Sequence, residues 1–235
     1  MTSFFVTTSW DDGHKMDLRL AKMLQKYGAS GTFYVSPLTH VKHRENRLTE
    51  AEIKELDVHH EVGAHTLNHV RLDSISINEA EAEIEGSKLY LERLLGHEIA
   101  MFSYPWGRYN RKIKEIVKNN GFSGARTCTG GSFVLPTDPY ELQTTLHASN
   151  GSPLLALEMA VRFKTRRMLL NWESRAKLLF DLFLREGGIF HLWGHSWEID
   201  RKNDWGKLER VLQYISGRNG IEYRTNGEIL ELTKR

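Results

Sequence analysis

Apolar positions along the chain switch repeatedly between two periods. Phe4-Phe5-Val6 opens a run that reads as a buried strand to Ser9, and Met16, Leu20, Met23, Leu24 and Tyr27 then recur at helical spacing until Gly28 stops them. Thr32 to Val35 is a short apolar strand closed by Pro37. Thr49-x-x-Glu52 and Asn78-x-x-Glu81 have the spacing of capping boxes and predict two helices, the second ending at Gly96, with the segment EVGAH between them. Ile99 to Tyr104 reads as a strand, Asn110 to Asn120 as a helix stopped by Gly121, and Phe122 to Arg126 and Leu142 to Thr145 as weaker strands. Residues 153 to 186 hold two helical patterns rich in leucine and arginine. Ile189 to Trp193 is strand-like, Trp205 to Ile215 helical, Ile221 to Arg224 strand-like and Glu228 to Leu232 helical.

Strands that alternate with helices in this way predict parallel βαβ units closing toward a barrel. With 235 residues and neither linker nor repeat, residues 1–235 form a single α/β domain in this reading. Functional groups of such a barrel collect where strands end and loops begin, at the C-terminal face.

Composition removes several function classes. Charged residues make up 26% and the net charge is +2, so there is no electrostatic footprint for nucleic acid or an anionic membrane. The single cysteine, Cys128, excludes an intramolecular disulfide and a cysteine zinc cluster. MTSFFVTTSWDD lacks the basic start and apolar core of a secretory signal, and no stretch approaches the roughly 18 apolar residues of a membrane span, which predicts a cytoplasmic protein. The basic group Arg162, Lys164, Arg166 and Arg167 reads as a solvated helix face, with contact to an anionic substrate as the alternative.

Four polar clusters fall at expected strand ends: Asp11-Asp12-Gly13-His14, His65-Thr66-Leu67-Asn68-His69, Tyr104-Pro105-Trp106-Gly107 and His191-Leu192-Trp193-Gly194-His195. They should meet on one rim. His65 and His69, four apart, would face the same way on a helical turn at chelating distance. Two histidines, one carboxylate and an open position form a recurrent catalytic zinc arrangement, so one aspartate of the Asp11-Asp12 pair can complete it and leave the other as a base.

In that order, Ser9-Trp10-Asp11-Asp12-Gly13, His65-Thr66-Leu67-Asn68-His69, Ser103-Tyr104-Pro105-Trp106-Gly107 and Trp193-Gly194-His195 resemble the motifs of the polysaccharide deacetylase family, also called the NodB-homology domain or carbohydrate esterase family 4. The resemblance implies a distorted (β/α)7-type barrel in which Asp12, His65 and His69 hold a divalent metal, zinc first, with cobalt, nickel or iron as alternatives. It further implies Asp11 as general base, His195 as general acid toward the leaving amine, and the backbone N–H of Trp106 as an oxyanion donor. The activity implied is removal of N-acetyl groups from an amino sugar or glycan, with release of acetate. Hydrolysis of another amide, such as a cyclic ureide or imide, and a glycan-binding module with little turnover are the alternatives.

Two departures stand out. Ser103 occupies the place where many members carry an arginine that orients the base, and the usual Asp-Trp support for the late histidine is missing around Leu142 to Ser149. Tyr109, Trp197 and Glu198 are expected substrate contacts, Trp10 and Trp193 barrel core, His14 a solvated loop residue and His191 structural. His147 has no assigned role, and the pattern fixes no oligomeric state.

Overall fold

The computed structural model describes residues 3–39, 44–151 and 153–233. Its centre is β1 (Phe4–Asp12), which runs three residues beyond the apolar pattern. Parallel neighbours on both sides explain the extension: β7 (Gly188–Gly194) pairs with Phe4 to Trp10, and β2 (Thr32–Val35) pairs with Ser9 to Asp12. Polar residues stay in a strand when both edges are satisfied. Beyond β2 lie β3 (Glu61–Ala64), β4 (Met101–Ser103) and β5 (Gly124–Arg126), all parallel, and β6 (Leu146–His147) flanks β7 on the other side. The sheet order is β5-β4-β3-β2-β1-β7-β6. Leu142 bridges Arg126 of β5 while Leu146 and His147 pair with β7, so one segment touches both ends of the curled sheet.

The connecting helices are α1 (Asp17–Lys26), α2 (Glu50–Asp57), α3 (Ile77–Leu95), α4 (Arg111–Asn119), α5 (Pro153–Arg162) and α6 (Trp172–Glu186), followed by α7 (Ser196–Arg201), α8 (Trp205–Ile215) and α9 (Asn226–Thr233). Most follow the apolar spacing. One start differs: the capping box that opens α3 is Ser76 with Glu79, two residues before the expected Asn78 and Glu81. The Ser76 hydroxyl accepts from the Glu79 N–H and the Glu79 carboxylate accepts from the Ser76 N–H, which satisfies two orphan amides of the first turn. α7 lies outside the expected elements because six residues carry too little periodicity to read.

The N-terminal end of the barrel is plugged. β8 (Glu222–Tyr223) pairs with Phe5 and Val6 below β2, and the Gly227 N–H at the start of α9 donates to the buried Glu61 carboxylate at 3.0 Å. Helix dipole and carboxylate complement each other there. Trp10 is fully buried, as expected, and His191 is a structural residue that pairs with Ser9 Oγ at 2.8 Å and with the Gln143 carbonyl at 3.1 Å. Chemistry is thereby left to the opposite, C-terminal rim. No described helix is long and apolar enough to cross a membrane.

The α3 cap can be tested by denaturant unfolding. Ser76→Ala is expected to lower stability by about 1 kcal/mol, and Asn78→Ala by less than about 0.5 kcal/mol. Equal effects would contradict the Ser76 start.

Candidate active site

The doublet Asp11-Asp12 ends β1 by leaving β geometry. Asp12 has φ 85° and Gly13 φ 72°, and a Cβ on Gly13 would lie 2.9 Å from Val35 Cγ1, so glycine is required at that turn. The turn separates two side chains that a flat strand would send to opposite faces. Of the six non-glycine residues with positive φ among those described, four are Asp12, Thr66, His69 and Trp106. Backbone strain is thus concentrated at one place on the rim, as is common where geometry serves chemistry.

After β3 the chain does not form the helical turn expected for His65 and His69. Thr66 and His69 are left-handed instead, and the loop is tied to α3 through Asn68, whose N–H and side-chain amide donate to the two Glu83 carboxylate oxygens at 2.9 and 2.7 Å. The histidine rings still converge, 4.9 Å apart between centroids. Asp12 Oδ1 lies 3.2 Å from His69 Nε2 and 3.8 Å from His65 Nε2. That oxygen is buried without a hydrogen-bond partner, an orphan acceptor facing two imidazole nitrogens. His65 Nδ1–H donates to the Ser103 carbonyl at 2.7 Å, which fixes the tautomer and leaves Nε2 as a lone pair. Burial lowers the His65 pKa to about 4, so the ring is neutral. The two imidazoles and the Asp12 carboxylate, with ligand atoms all within 4.8 Å of one another, fit a divalent cation.

Asp11 is buried beside this triad and ion-paired to the Arg126 guanidinium from the end of β5. The arginine missing at Ser103 is therefore supplied by the next strand. Arg126 is fully buried, with its guanidinium carbon 4.6 Å from the Trp193 ring centroid. Trp193 is half-buried, not barrel core: its ring lies between Arg126 and His147. Burial would raise the Asp11 carboxyl, but the Arg126 charge, followed by His65 and His195, outweighs it and holds the group at about 2.

His195, at the end of β7, has its Nδ1 3.2 Å from Glu198 Oε2 in the first turn of α7 and 3.4 Å from His147 Nε2 on β6. A carboxylate three residues downstream thus takes the place of the missing Asp-Trp support. Burial tends to lower the His195 pKa; the Glu198 hydrogen bond and the charges of Asp12 and Asp11 outweigh it and raise the pKa. His147 is neutral, pushed down to about 3 mainly by burial.

Two expected substrate contacts have other partners. The Trp197 indole N–H donates to Asp12 Oδ2 at 2.7 Å, and Glu198 serves His195, with Lys202 Nζ 3.1 Å from its other oxygen. Tyr109 stacks on Tyr104 at 4.3 Å and is not brought to the Asp12 cluster. Trp106 is 68% exposed, with its ring 5.7 Å from His69, in a turn closed by Gly107 N–H donating to the Tyr104 carbonyl. His14 forms a bridge with Arg47 and accepts from the Met16 N–H.

Comparison with known proteins follows the same lines. A family model described as polysaccharide deacetylase matches residues 2–125. A Bacillus subtilis protein named as a polysaccharide deacetylase, YxkH, is 27% identical over 131 residues, 54% of this chain and 46% of that protein, so the chain spans about half the length of this curated relative. The structure of the Streptococcus pyogenes deacetylase PplD, in complex with acetate, is 26% identical with a TM-score of 0.54 over 58% of this chain and 62% of that one. A family 4 acetyl xylan esterase from Clostridium thermocellum, in complex with a cobalt ion, shares the fold with a TM-score of 0.60 and 18% identity, covering 98% of this chain and 92% of that one.

The Asp11–Arg126 pair makes a stability prediction. Arg126→Met leaves a buried carboxylate unpaired and is expected to cost about 3–5 kcal/mol, most of which the Asp11→Asn/Arg126→Met double variant recovers. With the folded pKa at about 2, Asp11 contributes stability that is present above its ordinary value of 3.8 and lost as the pH falls toward 2. Without Arg126 the burial effect dominates and this contribution changes sign. Urea unfolding from pH 3 to 7 measures both effects, and an Arg126→Met protein with unchanged pH dependence would refute the pairing.

Proposed function

The chain belongs to the polysaccharide deacetylase family, and from that we propose that it hydrolyses the N-acetyl group of an amino sugar, releasing acetate, with a divalent cation held by Asp12, His65 and His69. One observation carries the reading: the orphan Asp12 oxygen faces two imidazole nitrogens directly beside an arginine-held Asp11. Members of carbohydrate esterase family 4 are metal-dependent deacetylases, and the donor set here suits zinc first, with cobalt, nickel and iron compatible with the same ligands.

Amide hydrolysis needs an activated water, a stabilised oxyanion and a proton for the nitrogen. A divalent cation held by Asp12, His65 and His69 would supply the Lewis acidity that a carboxylate as weakly basic as Asp11 requires. Asp11 then receives the water proton, and Arg126 keeps the carboxylate ionised and aimed. Trp197 holds the second oxygen of Asp12, so that ligand and base keep separate roles. The backbone N–H of Trp106 serves as oxyanion donor, and its exposed indole offers a face to a sugar ring.

His195 protonates the leaving amine. Its Nδ1–H rests on Glu198, which leaves Nε2 as the nitrogen that transfers the proton, and the Glu198 hydrogen bond with the nearby Asp12 and Asp11 charges raises its pKa, which favours the proton-bearing form an acid needs.

Acetate release from a panel of N-acetylated amino sugars and oligosaccharides tests the reading. Asp11→Asn and His195→Ala are each expected to lower kcat by about 10²-fold or more. Unchanged turnover in Asp11→Asn would overturn the base assignment, and no acetate from any glycan by metal-loaded protein would overturn the activity.

A further inference from the structure

Behind the loop that follows β6 lies a cavity of about 320 Å³ between α5 and the start of α6, a volume in the range of small-molecule sites. Arg175 lines it. This side chain is 2% exposed, and its Nε has no hydrogen-bond partner among the described residues. Its Nη2 donates to the Asn150 carbonyl at 2.5 Å and to the Ser149 carbonyl at 3.4 Å, which clamps the loop. Among the described residues no carboxylate answers its charge: burial alone acts on its pKa, and lowers it. The loop clamp explains one nitrogen and leaves a buried cation without a counterion, an arrangement that strongly favours an anion.

The surroundings add to that charge. Arg175 sits in the first turn of the 15-residue helix α6, whose positive end borders the cavity beside Asn171. The segment from α5 to α6 carries the exposed Arg162, Lys164, Arg166 and Arg167, against a single acidic residue, Glu158, between positions 153 and 170. Leu169 and Leu170, 54% and 51% exposed, form an apolar lip. We propose that this cavity is an anion site that receives a phosphate ester on Arg175.

A chain of hydrogen bonds links the Arg175 clamp to the catalytic rim. Ser149, whose carbonyl meets Arg175, pairs through its hydroxyl with His147 Nδ1 at 2.8 Å, and His147 reaches His195. A phosphate held there belongs to the substrate, a phosphate-bearing amino sugar; that last step rests on the deacetylase reading, while the anion site does not.

Isothermal titration of the Asp11→Asn protein, which binds without turnover, tests the site with three probes at matched ionic strength: inorganic phosphate, a nucleoside-diphosphate N-acetylhexosamine, and vesicles carrying a polyprenyl phosphate. Binding of at least one probe is expected, weakened at least tenfold by Arg175→Met and by Leu169→Trp, which fills the mouth and leaves Arg175 in place. Nucleotide-sugar binding that inorganic phosphate displaces assigns a soluble carrier, and binding of the vesicles alone, still dependent on Arg175, assigns a lipid carrier. No binding by any probe, or affinity unchanged in both variants, overturns the site; should Arg175→Met not fold, Leu169→Trp decides. Failure of the deacetylase reading shows differently, as phosphate binding without acetate release from any substrate.

Discussion

Two carboxylates buried side by side at the mouth of a barrel repel each other and resist desolvation, and the structure depends on how that cost is met. Asp11 is neutralised from the far side of the sheet, by an arginine 115 residues later in the chain, so the pair joins β1 to β5 across the barrel mouth. Asp12 is turned away by a left-handed backbone step that only a following glycine accommodates, and Trp197 holds one of its oxygens. What remains is one orphan oxygen aimed at His65 and His69. Adjacent residues of the same type are thereby made chemically different, one held as an ion pair and the other left with an unpartnered oxygen. Burial, charge and backbone geometry each contribute to the difference.

The second half of the site follows the same logic with other residues. His195 needs a carboxylate to fix its tautomer and to hold its proton against burial, and Glu198 supplies it from the first turn of the short helix that begins at Ser196. His147, neutral, fills the space between that pair and Trp193. Arg126 stacks on the other side of Trp193, so the partners of Asp11 and His195 are braced against a shared indole.

Much of this was legible from local pattern. The strand and helix order, the end of α3 at Gly96 and the span of α8 follow from periodicity and stop signals, and the convergence of Asp12, His65 and His69 is implied by the resemblance to polysaccharide deacetylases. The errors have physical causes. Ser76 and Asn78 are both competent caps, and only the chain direction before α3 selects the first. β1 reaches Asp12 because β7 pairs with it as far as Trp10 and β2 continues to Asp12, which no local window contains. Arg126 stood at the end of an expected strand, yet its pairing with Asp11 depends on barrel curvature. Trp197 and Glu198 looked like free rim side chains because their partners are set by the angle at which α7 leaves β7.

Cobalt(II) titration, followed by visible absorption and metal analysis, of the native protein beside Asp11→Asn and Asp12→Asn addresses the division of labour in the aspartate doublet directly. If Asp12 is the ligand and Asp11 the base, the native protein and Asp11→Asn each bind one equivalent at the His65–His69 site, and Asp12→Asn loses it. Retention of the ion by Asp12→Asn, or its loss in Asp11→Asn with the fold intact, would contradict that division.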